Sequence, residues 1–412
     1  MKIKSFEDAV NVFELGIYFP ILLWIYRRLI PFRVKRIRKK QQIKVLFIVT
    51  ERATWKTEML YLAMCKHPRF NPILAVCTSG NVPFGLPQLK NYLDEQNYNY
   101  VDLDNYNTWT IKKISPDIIF YGKPYPGEYK YGLYFDKHLN SLFCHVQYGC
   151  HSVIEPWAAE NWLLRFCWQQ YFENQNVLDQ FAKAGKMSKK YLVATGFPVF
   201  DRLMSKKELV ADPWKCKDGR KRIIYAPHHT IGELHAQGIG YSTFLEMGEI
   251  MLDLAEKYKD EVVFCFKPHT ILYSKLVAIW GQERADRYYN AWRTKSNCQF
   301  EDGDYQGIFL HSDAMIHDCA SFTIEYHFTH NPVLYLVRDE THDKNMTNFA
   351  KRAFDAHYKG QNKEDVERFI KNVISGYDPM RSEREQYFNE YLLPPNGKSA
   401  CDNIIDAILG QN

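Results

Sequence analysis

The chain has no Cys-x-x-Cys pair among its 412 residues. Its ten cysteines, at 65, 77, 144, 150, 167, 216, 265, 298, 319 and 401, are scattered, several of them inside apolar runs such as Val263-Phe-Cys265-Phe. That distribution speaks against a zinc module or a disulfide framework and fits reduced thiols in a cytosolic compartment. There is no internal repeat and no low-complexity tract. No acidic pair or Asp-x-Asp stands out as a metal site at a strand end, so no metal and no cofactor is expected. Acids are also missing from one long stretch. Arg27, Arg28, Arg33, Lys35, Arg36, Arg38, Lys39, Lys40 and Lys44 follow one another without an Asp or Glu, in a chain whose net charge is only +5.

Nor is there an apolar run of the ~20 residues that a bilayer requires. The nearest is Val12 to Tyr26, broken by Glu14 and Pro20, with no small-residue cleavage site after it as a secretory signal would have. An aromatic-rich apolar stretch followed by a polybasic one predicts a helix lying in the membrane interface, its cations on anionic lipid at about 1 kcal/mol each. The competing reading is a helix packed on the body of the protein. A nucleic-acid arm is disfavoured, because the aromatics precede the charges and do not interleave with them.

What is present is core material: 46% hydrophobic and 15% aromatic residues, too much for a disordered chain. At this length two domains are expected. The first has apolar strands at Lys44–Thr50, Pro72–Cys77, Tyr98–Asp102, Asp117–Tyr121, Leu142–Gln147 and Tyr191–Thr195, with helical stretches between several of them. The pattern restarts with strands at Lys221–Ala226, Glu261–Lys267, Ala314–His317 and Val333–Leu336 and a helix over Ser242–Lys259. Terminal helices are expected at Glu364–Ile374 and Asp402–Leu409. Alternation of this kind predicts α/β architecture with parallel sheets and ligands at the C-terminal strand ends, in a cleft between the domains. The boundaries expected are a membrane-associating segment over 1–43, one α/β domain over 44–205, which the family resemblance given below makes the acceptor domain, a second over 206–385, which it makes the donor domain, and C-terminal helices over 386–412.

Four clusters fall at strand ends. Pro227-His228-His229-Thr230 offers imidazoles and a hydroxyl to an anion, or is a histidine-rich surface turn. Lys267-Pro268-His269 places a cation where a buried strand must reach water or an anion. Asp318-Cys-Ala-Ser321 opens a helix expected over Phe322–Thr329: Ser321 caps it, Asp318 braces the turn, and Glu325 is available to ribose hydroxyls. An ordinary capped helix would look the same. In the first domain His145, Tyr148 and His151 crowd the loop around Gly149, where a histidine could deprotonate an acceptor hydroxyl. Thr50-Glu51-Arg52, at the end of the first strand, is the expected acceptor wall. A zinc site from His228, His229, His269 and His317 has no supporting ligand spacing.

The ordered set Gln147-Tyr148-Gly149, Thr195-Gly196-Phe-Pro198-Val-Phe-Asp201, Tyr225-Ala-Pro227, Lys267-Pro268-His269, Asp318-Cys-Ala-Ser321 and Asn331-Pro332-Val-Leu-Tyr resembles the CDP-glycerol glycerophosphotransferases that polymerise teichoic acids. The resemblance spans about residues 140–340. It implies two Rossmann-like domains facing across a cleft (glycosyltransferase-B-like), a peripheral enzyme on the cytoplasmic face of a bacterial inner membrane, and transfer of a polyol phosphate from a CDP-linked donor to a lipid-linked glycan or polyol-phosphate acceptor, with CMP leaving. No nucleic-acid partner is implied. Under it, His151 is the expected base with His145 second. Lys267, His269, His228, His229, Thr230 and the helix start at Ser321 and Phe322 hold the diphosphate, and Glu325 orients the nucleotide.

The departures are equally specific. The family's His-Gly is Tyr148-Gly149 here, and tyrosine, with a reference pKa near 10, is a poor base at neutral pH. Asp-x-Ser-Ser is Asp318-Cys-Ala-Ser321, Lys-Pro is Asn331-Pro332, and Ala-Pro-Thr is Ala-Pro-His228-His229-Thr230. Two rival functions therefore stand beside the first: a nucleotide-sugar glycosyltransferase of the same fold in capsule or lipopolysaccharide synthesis, and a non-catalytic scaffold of an envelope-polymer complex.

Overall fold

The computed structural model describes residues 14–81, 85–105, 108–125, 127–153, 161–231, 241–303, 305–320, 322–339 and 346–411. Two compact units divide the chain. Met1–Gly149, Ile154–Asp201 and Pro394–Asn412 form the first, Cys150–Val153 and Arg202–Leu393 the second. The chain therefore returns to its first unit at Pro394, and a four-residue piece of the expected first domain belongs to the second.

The first unit is built on β1 (Ile43–Val49), β2 (Phe70–Val76), β3 (Tyr100–Asp102), β4 (Ile118–Tyr121), β5 (Leu142–Val146), β6 (Gln169–Phe172) and β7 (Leu192–Ala194), in the order β3-β2-β1-β4-β5-β6-β7. Every neighbouring pair is parallel. β4 and β5 are buried along their whole length, which only helices on both faces allow and which explains their apolar sequence, interrupted only by His145. The second unit repeats the order with β8 (Lys221–Ala226), β9 (Val262–Phe266), β10 (Cys298–Phe300), β11 (Ala314–His317), β12 (Val333–Leu336) and β13 (Tyr358–Gly360), again parallel, as β10-β9-β8-β11-β12-β13. Each sheet thus has one point where the direction of winding reverses, between β1 and β4 in the first and between β8 and β11 in the second.

Three strands escape a reading by hydrophobic pattern. β10 and β13 are three-residue edge strands. β6 opens with two glutamines, yet is wholly buried. Its amides are satisfied internally: Gln169 Nε2 donates to the Ala407 carbonyl at 3.2 Å, Gln170 Nε2 to that of Leu164 at 3.0 Å, and Tyr171 Oη donates to Gln169 Oε1 at 2.6 Å. Hydrogen-bonded amides lose most of their burial penalty.

The N-terminal segment differs from the separable anchor that the sequence suggests. Phe19–Lys39 is one helix with Pro20 in its first turn, where a missing N–H costs nothing. Tyr26, Ile30 and Ile37 are buried against the first unit. Tyr26 Oη donates to the Ser141 carbonyl at 3.0 Å and accepts from the Phe143 N–H at 3.2 Å, while its ring stacks on Phe143 at 5.3 Å. Arg38 Nε donates to the Ile408 carbonyl at 3.2 Å, and Lys40 pairs with Asp117 at 2.6 Å. One helix face is therefore part of the core, and removing it would expose β5. The opposite face leaves Ile17, Ile21, Trp24, Ile25, Leu29 and Phe32 between 40% and 74% exposed, at helical spacing. Among the described residues no helix is long and apolar enough to cross a membrane.

The Thr195–Asp201 motif explains the return of the chain. Gly196 has φ +86, and a Cβ there would lie 2.9 Å from both Ala400 and Pro394. The Asp201 carboxylate accepts the N–H groups of Ala400 and Cys401 at 2.7 and 2.8 Å, seating the helix Ala400–Leu409 on the first unit.

Candidate functional site

β8 and β11 pair so that Ala226 lies opposite His317, which sets the loops that follow them side by side at the reversal point. The two loops are then tied together. The His228 N–H donates to Asp318 Oδ1 at 2.5 Å, and Asp318 Oδ2 accepts from the Thr243 N–H at 2.7 Å and its hydroxyl at 3.1 Å. Burial pushes the Asp318 carboxyl up to about 7, against the pull of these hydrogen bonds. Asp318 thus spends its oxygens on the scaffold: it holds the loop of His228 and the start of the helix Phe244–Lys257.

β9 delivers the third strand end. The His269 N–H donates to the Pro227 carbonyl at 3.1 Å, drawing its loop against that of β8. The rings of His228, His229 and His269 pack together, with centroids 4.4 Å apart for 228 and 229, 5.3 Å for 228 and 269, and 4.1 Å for 229 and 269. One ring nitrogen from each lies within 4.8 Å of the others. Burial lowers all three pKa values: that of His269 to about 3, that of His229 to about 4, and that of His228 well below its ordinary value. Thr230 is buried behind them, its hydroxyl 3.0 Å from His228 Nδ1. Lys267 is buried too, with Nζ donating to the Gly303 carbonyl at 3.0 Å and lying 5.8 Å from the Tyr305 ring centroid.

The fourth histidine of the zinc set that the sequence disfavours lies apart from the other three. His317 lies under the sheet, wholly buried, with Nε2 3.2 Å from His357 Nε2, while His357 Nδ1 donates to the Ala353 carbonyl at 2.7 Å. His327 donates to the same carbonyl at 3.1 Å. These three are structural, desolvated imidazoles. An Asp-x-Asp does stand at a strand end, Asp102-Leu-Asp104 after β3, but its acids are held by Lys90 at 2.5 Å and Lys130 at 2.8 Å.

After β11 the helix Phe322–Glu325 continues as a tighter turn over Tyr326–Thr329. Ser321, its expected cap, lies outside the described residues. Phe322 packs on Tyr305 and Phe309, at 5.4 and 5.0 Å. Glu325 is 1% exposed; Oε1 accepts from Cys150 Sγ at 3.7 Å, and Oε2 is buried with no partner among the described residues. His151 belongs here and not to the first-domain loop where the sequence puts it. Thr347 donates through N–H to the Ser152 carbonyl at 2.8 Å and through Oγ1 to that of His151 at 2.9 Å, and Val153 bridges to Met346. The second unit therefore carries His151, Glu325 and the three-histidine cluster on its own.

The remaining expected residues stay in the first unit. His145 is a buried strand residue with Nδ1 donating to the Tyr121 carbonyl at 2.8 Å and Nε2 3.1 Å from Gln147 Oε1. Tyr148 shares a short hydroxyl–hydroxyl hydrogen bond with Tyr125. Thr50 donates to Glu128 at 2.7 Å, Glu51 pairs with Lys123 at 2.8 Å, and Arg52 lies 3.9 Å over the Tyr92 ring. Lys123 and Glu128, both buried and 3.4 Å apart, were missed. The signal was available: Gly122-Lys123-Pro124 follows an apolar strand as Lys267-Pro268 does. A pocket at this reversal point is lined by Thr50, Trp55, Lys123, Tyr129 and Val146.

Comparison with known families matches residues 170–410 to the CDP-glycerol:poly(glycerophosphate) glycerophosphotransferases. The chain belongs to this family. The match takes in nearly all of the second unit and stops short of Tyr148 and His151. Comparison with curated protein sequences finds no match. Among solved structures, the wall teichoic acid polymerase TagF, as a variant soaked with CDPG, is 14% identical, covers 98% of each chain and has a TM-score of 0.61. UDP-GlcNAc 2-epimerase from Neisseria meningitidis, bound to UDP-GlcNAc, is 15% identical over 89% of this chain and all of its own, with a TM-score of 0.61. MnaA from S. aureus, a co-structure with UDP, is 14% identical over 89% and 96%, at 0.56. At such identities the likeness concerns the fold, the glycosyltransferase-B-like pair of α/β units. The chain is a transferase by family.

Proposed function

We propose that the protein transfers a polyol phosphate, glycerol phosphate or a close relative, from a CDP-linked donor to a hydroxyl of a lipid-linked envelope polymer, releasing CMP. The observation that carries this reading is the convergence of His228, His229 and His269 at the β8/β11 reversal point of the matched unit, with Lys267 beside them. Ring N–H groups and a cation in a desolvated setting suit a diphosphate. The buried Glu325 oxygen that has no partner among the described residues is an acceptor waiting for a donor, and a ribose or glycerol hydroxyl fits it.

In the reaction the acceptor oxygen bonds to the distal phosphorus and the bond from that phosphorus to the CMP oxygen breaks. The hydroxyl proton passes to His151, which the Thr347 contacts hold in the same unit as the donor residues. His269, His228, His229 and Lys267 stabilise the charge on the diphosphate, and Asp318 with Thr230 keeps the loops in position.

The exposed apolar stripe of the N-terminal helix, with Arg28, Lys35, Arg36 and Lys39 around it, suits an anionic lipid surface on the side where the polymer is assembled. The reaction is tested by incubating the protein with CDP-glycerol, CDP-ribitol and a panel of UDP-, GDP- and CMP-sugars and following free nucleotide. Turnover of a CDP-polyol is expected. Turnover of a nucleotide sugar alone would replace this reading by the glycosyltransferase one, and binding without turnover of any donor by the scaffold.

A further inference from the structure

We infer that the three-histidine cluster is an oxyanion site that charges on binding, His229 taking up one proton when a diphosphate arrives, and that it is not a metal centre. The inference rests on the donor reading above and concerns how that site works.

Hydrogen bonds fix two of the three rings. Thr230 Oγ1 accepts the N–H groups of Tyr241 and Ser242 at 2.9 and 3.2 Å, which fills both its lone pairs. Its own proton then goes to the one partner left among the described residues, His228 Nδ1 at 3.0 Å. His228 Nδ1 is thereby an acceptor, and Nε2 carries the ring hydrogen. In His269, Nδ1 accepts the Ile271 N–H at 3.2 Å, with the same consequence. Both rings therefore have only Nε2 left for a ligand, and that nitrogen carries the hydrogen. A metal ligand needs the opposite arrangement, a lone pair on the metal side and a hydrogen on the far nitrogen. The second coordination sphere that a zinc site would require is reversed at two of its three ligands.

His229 differs from its neighbours. Among the described residues no hydrogen bond to another residue holds its ring, and Nδ1 is buried without a partner. To take a second proton, His228 and His269 would have to break the hydrogen bonds at Nδ1; His229 breaks none. The groups facing it are His228, His269 and Lys275, with Lys267 beside His269 and the committed carboxylate of Asp318 behind His228. Burial first, and then Lys275, keeps His229 neutral in the free protein, at about 4. Two phosphate charges among these rings reverse the local field and favour imidazolium. The empty site thus stays uncharged, and its cation forms only against an anion.

The test is titration calorimetry of the full chain with CDP-glycerol, whose diphosphate diester keeps both charges across neutral pH, in two non-phosphate buffers of different protonation enthalpy. About one proton taken up per donor bound is expected at pH 6.5, with affinity weakening about tenfold per unit of rising pH where uptake is complete. His229→Gln should bind with uptake near zero. Nitrogen-15 NMR of wild-type protein should find His228 and His269 as Nε2–H tautomers, a readout that needs no variant. Binding without proton uptake, or uptake unchanged in His229→Gln, overturns this inference alone; CDP-glycerol that does not bind overturns the donor reading and this inference with it. Zn2+ binding at submicromolar concentration that His229→Gln abolishes overturns it in favour of a metal centre.

Discussion

The backbone N–H of His228 donates to the Asp318 carboxylate at 2.5 Å, so the loop after β8 is held by the loop after β11. The same carboxylate caps the region of Thr243, where the next helix starts. Asp318→Asn leaves one oxygen to serve donors that now engage two, and turns an NH2 group toward a backbone N–H. A loss of about 1–3 kcal/mol is expected. It should appear as a lower melting temperature together with weaker CDP-glycerol binding, with far-ultraviolet circular dichroism unchanged below the transition.

Glu325→Ala removes the buried carboxylate oxygen that has no partner among the described residues. If a donor hydroxyl satisfies it, affinity for CDP-glycerol falls by about 1.5–3 kcal/mol, the range for a hydrogen bond to a charged group. Calorimetry measures this directly. Unchanged affinity would remove Glu325 from the donor site.

Acid should unfold the second unit early. His317 and His327 are held neutral, at about 3, and His357 well below its ordinary value, all by burial. Their unfolded pKa is near 6.5, so below that pH the unfolded chain binds protons that the folded one refuses, and stability falls as pH falls. Asp318, raised to about 7, works in the opposite sense between about pH 4 and 7, one group against these three and the equally lowered His228, His229 and His269. The net effect is therefore a loss of stability as pH falls below about 6. Denaturant melts at pH 7, 6 and 5 check it; stability rising toward pH 5 would contradict it.

Lys123→Ala leaves Glu128, wholly buried, without its cation. Breaking a buried pair from one side costs about 3–5 kcal/mol. Thermal unfolding should show the loss in the first unit, followed by limited proteolysis within residues 14–149. Donor binding by the second unit should survive in whatever fraction remains folded.

Trp24→Glu with Phe32→Glu changes side chains that are 58% and 74% exposed. Stability should shift by no more than about 0.5 kcal/mol per site. Flotation with anionic vesicles should nevertheless be lost. Truncation at residue 40 tests something else, because it removes Tyr26 and Ile30 from the core and should unfold the first unit. The paired charge substitutions separate membrane contact from folding.

Much of the fold was legible because buried parallel strands write themselves as unbroken apolar runs: Lys221–Ala226, Ala314–His317 and Val333–Leu336 stand where the sequence sets them. Gln169–Phe172 was not legible, since its amides are made acceptable by partners as distant as Ala407. The lysine logic that singled out Lys267 applied equally to Lys123, which also follows a buried apolar strand. The N-terminal helix was half legible. Its composition shows an amphipathic segment, but a helix with two apolar faces gives no sign in sequence of which one the body takes.

By itself the sequence determined the class of the molecule: two α/β units, histidines and lysines at strand ends, and an order of motifs that marks the family. Those are local facts, set by side-chain period and by the polar residues that strands leave at their ends. Tertiary structure decided which of these residues work together. It carried Cys150–Val153 into the second unit through Thr347, sent His317 under the sheet while His228, His229 and His269 converged, and committed Asp318 to the scaffold. It also fixed the ring tautomers of His228 and His269, because a neutral imidazole's donor is set by the hydrogen bond at its other nitrogen, and Thr230 and Ile271 supply those bonds only once the loops are folded.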